Sequence, residues 1–132
     1  MKAYVICIII TLLLNIFSEV LFKKKLNKLA KLFLIISLLV TCVIAGARNI
    51  TVGTDVKGYV VRLVNVANTY SNILSYIRNA NSDFLFAILI YIGNLFKDMN
   101  VVLFFIQFAV AAPIYYYAYK ERKSCSITLT LL

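Results

Sequence analysis

The residue types able to do chemistry in this chain cluster in one short polar stretch, Arg48-Asn49-Ile50-Thr51-Val52-Gly53-Thr54-Asp55, with Tyr59 just beyond it. The stretch follows directly on an apolar run at 32–47. Charge beside a bilayer is costly unless it reaches water or has a task. The planar donor fork of Arg48 suits a phosphate or pyrophosphate. A carboxylate at the mouth of a membrane span, here Asp55, suits the orientation or deprotonation of a sugar hydroxyl. Lys57 and Arg62 add positive potential close by. The same residues have a purely structural use as well. Gly53 permits a tight or positive-φ turn, and Thr54 or Asp55 then caps a helix that starts near Val56. The two uses are compatible, since a capping aspartate can also serve a site.

Such a site needs apolar elements to hold it. The chain has 132 residues, 63% of them hydrophobic, and a mean hydropathy of +0.92, whereas a soluble domain is about half apolar. The excess is segmental, which is the pattern of a membrane protein. A bilayer-spanning helix needs roughly 20 mostly apolar residues. Segments 3–22 and 101–119 meet that length, and 31–47 reaches it if Lys31 snorkels. A fourth run, 84–96, is short and reads as a re-entrant or interfacial helix or a further span. The expected fold class is therefore all-α, a polytopic transmembrane helical protein forming a single transmembrane domain. The first run reads as a retained anchor, because it ends in Glu19-Val20-Leu21-Phe22 and lysines with no small-x-small cleavage site.

The net charge of +9 is uneven, with Lys23, Lys24, Lys25, Lys28 and Lys31 in one connector. Pinned between spans, these lysines mark a cytoplasmic loop rather than a nucleic-acid surface. Glu19, four residues before Lys23, offers a helix-end ion pair. With that connector inside, 48–83 lies outside. Lys120, Glu121, Arg122 and Lys123 should be inside again, so an odd number of crossings separates Asp83 from Lys120. One crossing, by 101–119, satisfies this and gives three spans in all.

The outer loop carries Val60, Leu63, Ala67, Tyr70, Leu74 and Ile77 at alternating spacings of three and four, which predicts one amphipathic helix. That helix either packs on its own neighbours or lies on the outer leaflet with its apolar face down. Pro113 falls inside the last span, where it can kink the helix. Tyr115, Tyr116, Tyr117 and Tyr119 end that span as an interfacial aromatic belt; sugar stacking is a second use for them. Cys7, Cys42 and Cys125 are odd in number and lack CxxC spacing, so they imply neither a disulfide framework nor a metal site. The chain holds no histidine, which excludes a His-based metal centre or triad within it. After the Lys120 cluster, 124–132 reads as the first turns of a further span.

The pattern Arg-x-x-x-Val-Gly-Thr-Asp-x-x-x-Tyr outside a second span, carried here by Arg48, Val52, Gly53, Thr54, Asp55 and Tyr59, resembles the N-terminal signature of the EpsG family. The polar loop ending at Asp83, the apolar segments and the basic turn beyond it also look similar. These are polytopic bacterial membrane proteins of exopolysaccharide and capsule assembly, related in role to Wzy-type repeat-unit polymerases. The resemblance covers the N-terminal portion of much longer proteins. It implies a GT-C-like polymerase of the bacterial cytoplasmic membrane, of which this chain is an N-terminal piece. The substrate would be an undecaprenyl-pyrophosphate-linked oligosaccharide, joined to the next repeat unit at the outer face. Asp55 would be the catalytic carboxylate, with Arg48, Gly53, Thr54, Tyr59 and Arg62 binding substrate. Membrane lipids and other polysaccharide-assembly proteins would be its partners, and neither a cofactor nor nucleic acid is implied. The residues leave two other classes open. One is a small non-enzymatic integral membrane protein, an assembly partner or pore former. The other is a transporter piece using Asp55 for a coupling ion, disfavoured because Asp55 falls in a loop rather than in mid-membrane.

Overall fold

A computed structural model describes residues 2–48, 56–80, 82–123 and 125–131. Those residues form helices and turns and no strand. In chain order the helices are α1 (Lys2–Lys23), α2 (Asn27–Gly46), α3 (Val61–Ala67, entered through a π-helical turn Val56–Val60), α4 (Ile73–Asn79), α5 (Phe84–Asn94), α6 (Met99–Lys120) and α7 (Ile127–Thr130). Three of them, at Val5–Lys23, Asn27–Gly46 and Met99–Lys120, are long and apolar enough to cross a membrane. Long apolar helices are thus present where spans were expected, at 3–22, 31–47 and 101–119. The second and third begin earlier, because Asn27, Lys28 and the Asp98 cap join the helices. At 11 residues, α5 extends only about 16 Å at 1.5 Å per residue, roughly half a bilayer core. The chain divides into two compact units, 1–44 with 108–132, and 45–107.

The first unit is an antiparallel hairpin of α1 and α2 with the C-terminal part of α6 and α7. Its turn is closed by a Schellman motif. The Leu26 amide donates to the Leu21 carbonyl at 3.0 Å and the Lys25 amide to the Phe22 carbonyl at 3.0 Å. Lys25 takes the left-handed conformation, φ 62°, which glycine usually fills; a lysine there costs about 1–2 kcal/mol. What the unit buries is unusual for a soluble bundle. On α1 the buried stripe is Cys7, Thr11, Asn15 and Ser18, and on α2 Ser37 is fully buried beside Ala30 and Leu34. The large apolar residues Ile9, Leu13, Phe17, Ile35, Leu39 and Val43 point outward. Small and hydroxylated residues inside, with branched aliphatics outside, are how helices associate in lipid.

Hydrogen bonds run along that seam. Ser18 Oγ donates to the Ala30 carbonyl at 2.8 Å, and Ser37 Oγ lies 3.0 Å from the Tyr115 hydroxyl. With Ser37 donating to the Thr11 carbonyl at 3.5 Å, Tyr115 is left to donate to Ser37. One pair of hydroxyls therefore ties α1, α2 and α6 together. The two basic segments share one end of this unit: Lys31 Nζ sits 5.0 Å from the Tyr119 ring centroid, and the Arg122 guanidinium 5.3 Å from that of Phe22. That shared end agrees with a single crossing between Asp83 and Lys120.

The second unit has an ordinary apolar core, with Val60, Leu63, Ala67, Tyr76, Ala87, Ile90, Val102 and Leu103 buried together. Glycines let its helices approach closely. A Cβ on Gly93 of α5 would lie 2.8 Å from Val102 Cα of α6, and one on Gly46 2.8 Å from the Asn100 carbonyl oxygen. Asp98 starts α6 as an N-cap, accepting from the Asn100 amide at 2.9 Å.

One expectation fails in this unit. The stripe from Val60 to Ile77 is two helices rather than one, broken at 68–72. Asn68, Thr69, Ser71 and Asn72 fall together there, and such side chains offer the backbone alternatives to the helical ladder. Thr69 Oγ1 takes the Val66 carbonyl at 2.7 Å. The break resets the register, so that Leu74 is 77% exposed while Tyr76, outside the expected stripe, is fully buried. In 125–131 the structure has one short helix, α7, of four residues.

Candidate functional site

The sequence-derived site falls within the second unit, and the structure describes part of it. Arg48 follows α2 two residues after Gly46. Its side chain is half-buried, and its Nε is buried without a hydrogen-bond partner. Gly53, Thr54 and Asp55 lie outside the described residues, so the expected turn and cap do also. The described residues resume at Val56 in a π-helical turn, Val56–Val60. Tyr59 is exposed, its ring stacked on Phe86 of α5 at 5.5 Å between centroids. Arg62 is exposed on α3 and lines an open groove of about 670 Å³ with Asn65, Thr69, Tyr70 and Asn79.

The break that spoils the single-helix pattern is what shapes this groove. Tyr91 donates its hydroxyl to the Ser71 carbonyl at 2.9 Å. The Asn94 amide reaches the Asn68 side-chain oxygen at 2.8 Å. Both donors stand on α5, which therefore holds the 68–72 connection from one side. The Tyr76 hydroxyl, donating to the Leu63 carbonyl at 3.3 Å, ties α4 to α3. Burial pushes the Tyr76 phenol above its ordinary range, helped by the neighbouring Tyr59, so it stays a neutral donor at physiological pH. The groove thus joins an arginine fork, two carboxamides, a threonine and a tyrosine. These polar groups suit a hydroxyl-rich or anionic ligand, and Val61 and Val66 add apolar wall to the same groove.

No model of a known protein family, no curated protein and no solved structure matches this chain. Its chemistry must therefore be read from its own residues. Among the described residues no group of three or more His, Cys, Asp or Glu side chains is placed to hold a metal ion. Asp83, at the start of α5, is exposed and makes no side-chain cap bond.

Two clusters escaped the sequence reading. The first is the buried seam of Thr11, Asn15, Ser18, Ser37 and Tyr115. Its signal was available, since Thr11, Asn15 and Ser18 recur at spacings of four and three within an apolar run. The second surrounds Glu19. The expected ion pair with Lys23 is present at 3.4 Å, but the other carboxyl oxygen does more. It accepts from the hydroxyls of Ser126 at 2.6 Å and Thr128 at 3.0 Å, and from the Thr128 amide at 3.4 Å. Glu19 thereby fastens the C-terminal segment to α1. The polar spacing of Ser126 and Thr128 carried no pointer to a partner more than a hundred residues away.

Proposed function

We propose that this chain is a membrane-embedded part of a polysaccharide polymerase, joining lipid-linked glycan repeat units at the outer face of the bacterial cytoplasmic membrane. The observation that carries the reading is Arg48. It stands immediately after a membrane-length helix, with a guanidinium nitrogen buried and unpaired. A buried donor without an acceptor is costly, and the pyrophosphate of a lipid-linked sugar supplies acceptors at that depth. The string beginning at Arg48, which resembles the EpsG signature, and the polar groove around Arg62 support the same reading.

In the reaction, an acceptor sugar hydroxyl attacks the anomeric carbon of the donor repeat unit. The new carbon–oxygen bond forms as the bond to the lipid pyrophosphate breaks. The hydroxyl proton passes to the Asp55 carboxylate, and the negative charge left on the pyrophosphate is met by Arg48 and Arg62. Tyr59, stacked on Phe86 with its other side exposed, offers an apolar face to a sugar ring. The test replaces the chromosomal gene, at its full natural length, with point variants and sizes the cell-surface polysaccharide. Asp55→Asn and Asp55→Ser cap helices as well as aspartate does, so a purely capping role leaves polymer length normal. A catalytic carboxylate predicts loss of polymer at unchanged protein level. Arg48→Lys keeps the charge and loses the fork, and it should shorten the polymer.

A second reading, a non-enzymatic integral membrane protein, is favoured by one observation. The interior of the first unit hydrogen-bonds to itself through Ser18, Ser37 and Tyr115, so its helices are held together without any ligand. Normal polymer in all three variants would select it.

A further inference from the structure

The first unit carries a groove that the polymerase reading does not use. Lys31, Leu34, Ile35 and Leu38 of α2 recur at helical spacing, as do Ala112, Tyr115, Tyr116 and Tyr119 of α6. The two helices run antiparallel, so these stripes face each other and leave an apolar cleft of about 290 Å³. Leu38 and Ala112 mark its deep end, and Lys31 and Tyr119 its mouth. Lys31 lines the mouth, and Arg122 stands near it, against Phe22 of α1. Lys31 Nζ lies 5.0 Å and the Arg122 guanidinium 4.2 Å from the centroid of the same Tyr119 ring. Arg122 also donates to the Tyr119 carbonyl at 2.8 Å, which fixes its position. Among the described residues neither Lys31 nor Arg122 is in an ion pair. The one ion pair among the described residues is Lys23–Glu19, and the Glu19 carboxyl is already taken by Lys23, Ser126 and Thr128.

We propose that this cleft binds one anionic glycerophospholipid of the surrounding bilayer, an acyl chain between α2 and α6 and its phosphate at Lys31. An anion at Lys31 also lies in the positive field of Arg122, which approaches the same Tyr119 ring. The ring itself keeps both cations in place through cation–π attraction. Seven residues of helix from Lys31 to Leu38 run about 10 Å, enough for the upper half of an acyl chain. Basic pockets between transmembrane helices select anionic headgroups in this way. A zwitterionic lipid would bring its own cation to the mouth and gain little.

Native mass spectrometry of the detergent-extracted protein tests this, with phosphatidylglycerol and phosphatidylcholine of identical acyl chains as competing probes. Glycerol 3-phosphate serves as a headgroup without a tail. One retained phosphatidylglycerol per chain is expected, with phosphatidylcholine retained far less and glycerol 3-phosphate not at all. Lys31→Gln should lower the preference about fivefold, the worth of one interfacial cation. Lys24→Gln, in the exposed turn outside the cleft, should leave it unchanged. Ile35→Trp, at an outward position that tolerates bulk, should fill the cleft and expel the lipid while helicity by circular dichroism stays the same. Equal retention of the two lipids overturns the proposal. So does an equal effect of Lys24→Gln and Lys31→Gln, since both would reduce the cleft to a diffuse positive surface. Retention unaffected by Ile35→Trp overturns it as well.

Discussion

The two units each bury an apolar cluster, Leu34, Ala111, Tyr115, Ala118 and Ile127 in the first, but they differ in what α1 and α2 turn inward. In 1–44 with 108–132, α1 and α2 bury threonine, asparagine and serine and turn isoleucine, leucine and phenylalanine outward. In 45–107 the helices bury leucine, isoleucine, valine and a tyrosine, and Arg62, Asn65 and Arg78 lie on the surface. The pattern in the first unit is the one expected of helices that meet in lipid. In lipid, apolar side chains gain nothing by leaving the surroundings, so close contact and hydrogen bonds decide which faces meet. In water, burial of apolar area dominates. Several large apolar residues of the second unit stay exposed nevertheless, among them Phe84, Leu85, Leu95 and Phe96 at the two ends of α5.

The sharpest way to break this comparison is to remove apolar bulk from each unit in turn. Ile90 is fully buried in the second unit, and Ile90→Ala should cost about 2–5 kcal/mol. Leu13 is 50% exposed on the outer face of the first, and Leu13→Ala should move stability by less than about 0.5 kcal/mol. Thermal unfolding in a mild detergent, followed by circular dichroism, reads both. Comparable losses would mean that the first unit is held by apolar burial after all.

A second effect concerns the C-terminal segment. Glu19→Gln keeps the shape of the side chain but not its charge, and it weakens three accepted hydrogen bonds at once. Bonds to a charged group contribute about 1.5–3 kcal/mol each. Hydrogen exchange at 127–130 should therefore accelerate at least tenfold, while exchange in the core of α1 stays unchanged. Unchanged exchange at 127–130 would show that the packing of Ile127 alone holds α7.

The smallest expected effect is the seam. A double-mutant cycle on Ser37→Ala and Tyr115→Phe should give a coupling of about 0.6 kcal/mol, with about 1.7 as the ceiling seen for such bonds in membranes. Zero coupling would leave the two hydroxyls as neighbours without consequence. A related substitution, Asn15→Leu, removes an oxygen that is buried without a partner, and it should be neutral or mildly stabilising by the same unfolding measurement.

Much of the architecture was legible in the residues. Length and apolarity located the three long helices to within a few positions. The lysines of 23–31 and the cluster at Lys120 placed both basic segments at one end. The break at 68–72 was less visible, because an apolar stripe can run in step across it, as Tyr70 and Leu74 do here. Only the competition of Asn68, Thr69, Ser71 and Asn72 for backbone partners marks it. Tyr76 could not be placed from periodicity, since its burial depends on the register after that break. At the candidate site, Arg48, Tyr59 and Arg62 were named from residue type and neighbourhood alone. The unpaired nitrogen of Arg48 and the groove beside Arg62 depend on tertiary packing that no spacing encodes.

The most direct measurement is the sidedness of the chain in intact cells. On a background free of Cys7, Cys42 and Cys125, single cysteines at Asn27 and at Asn68 are exposed to a membrane-impermeant thiol reagent added outside. With three spans and a cytoplasmic lysine connector, the cysteine at 68 is labelled, and the one at 27 reacts only after the cells are opened. Labelling at 27 with protection at 68 would contradict that topology. It would also take Arg48, Asp55 and the groove of Arg62 away from the membrane face where lipid-linked glycans are joined.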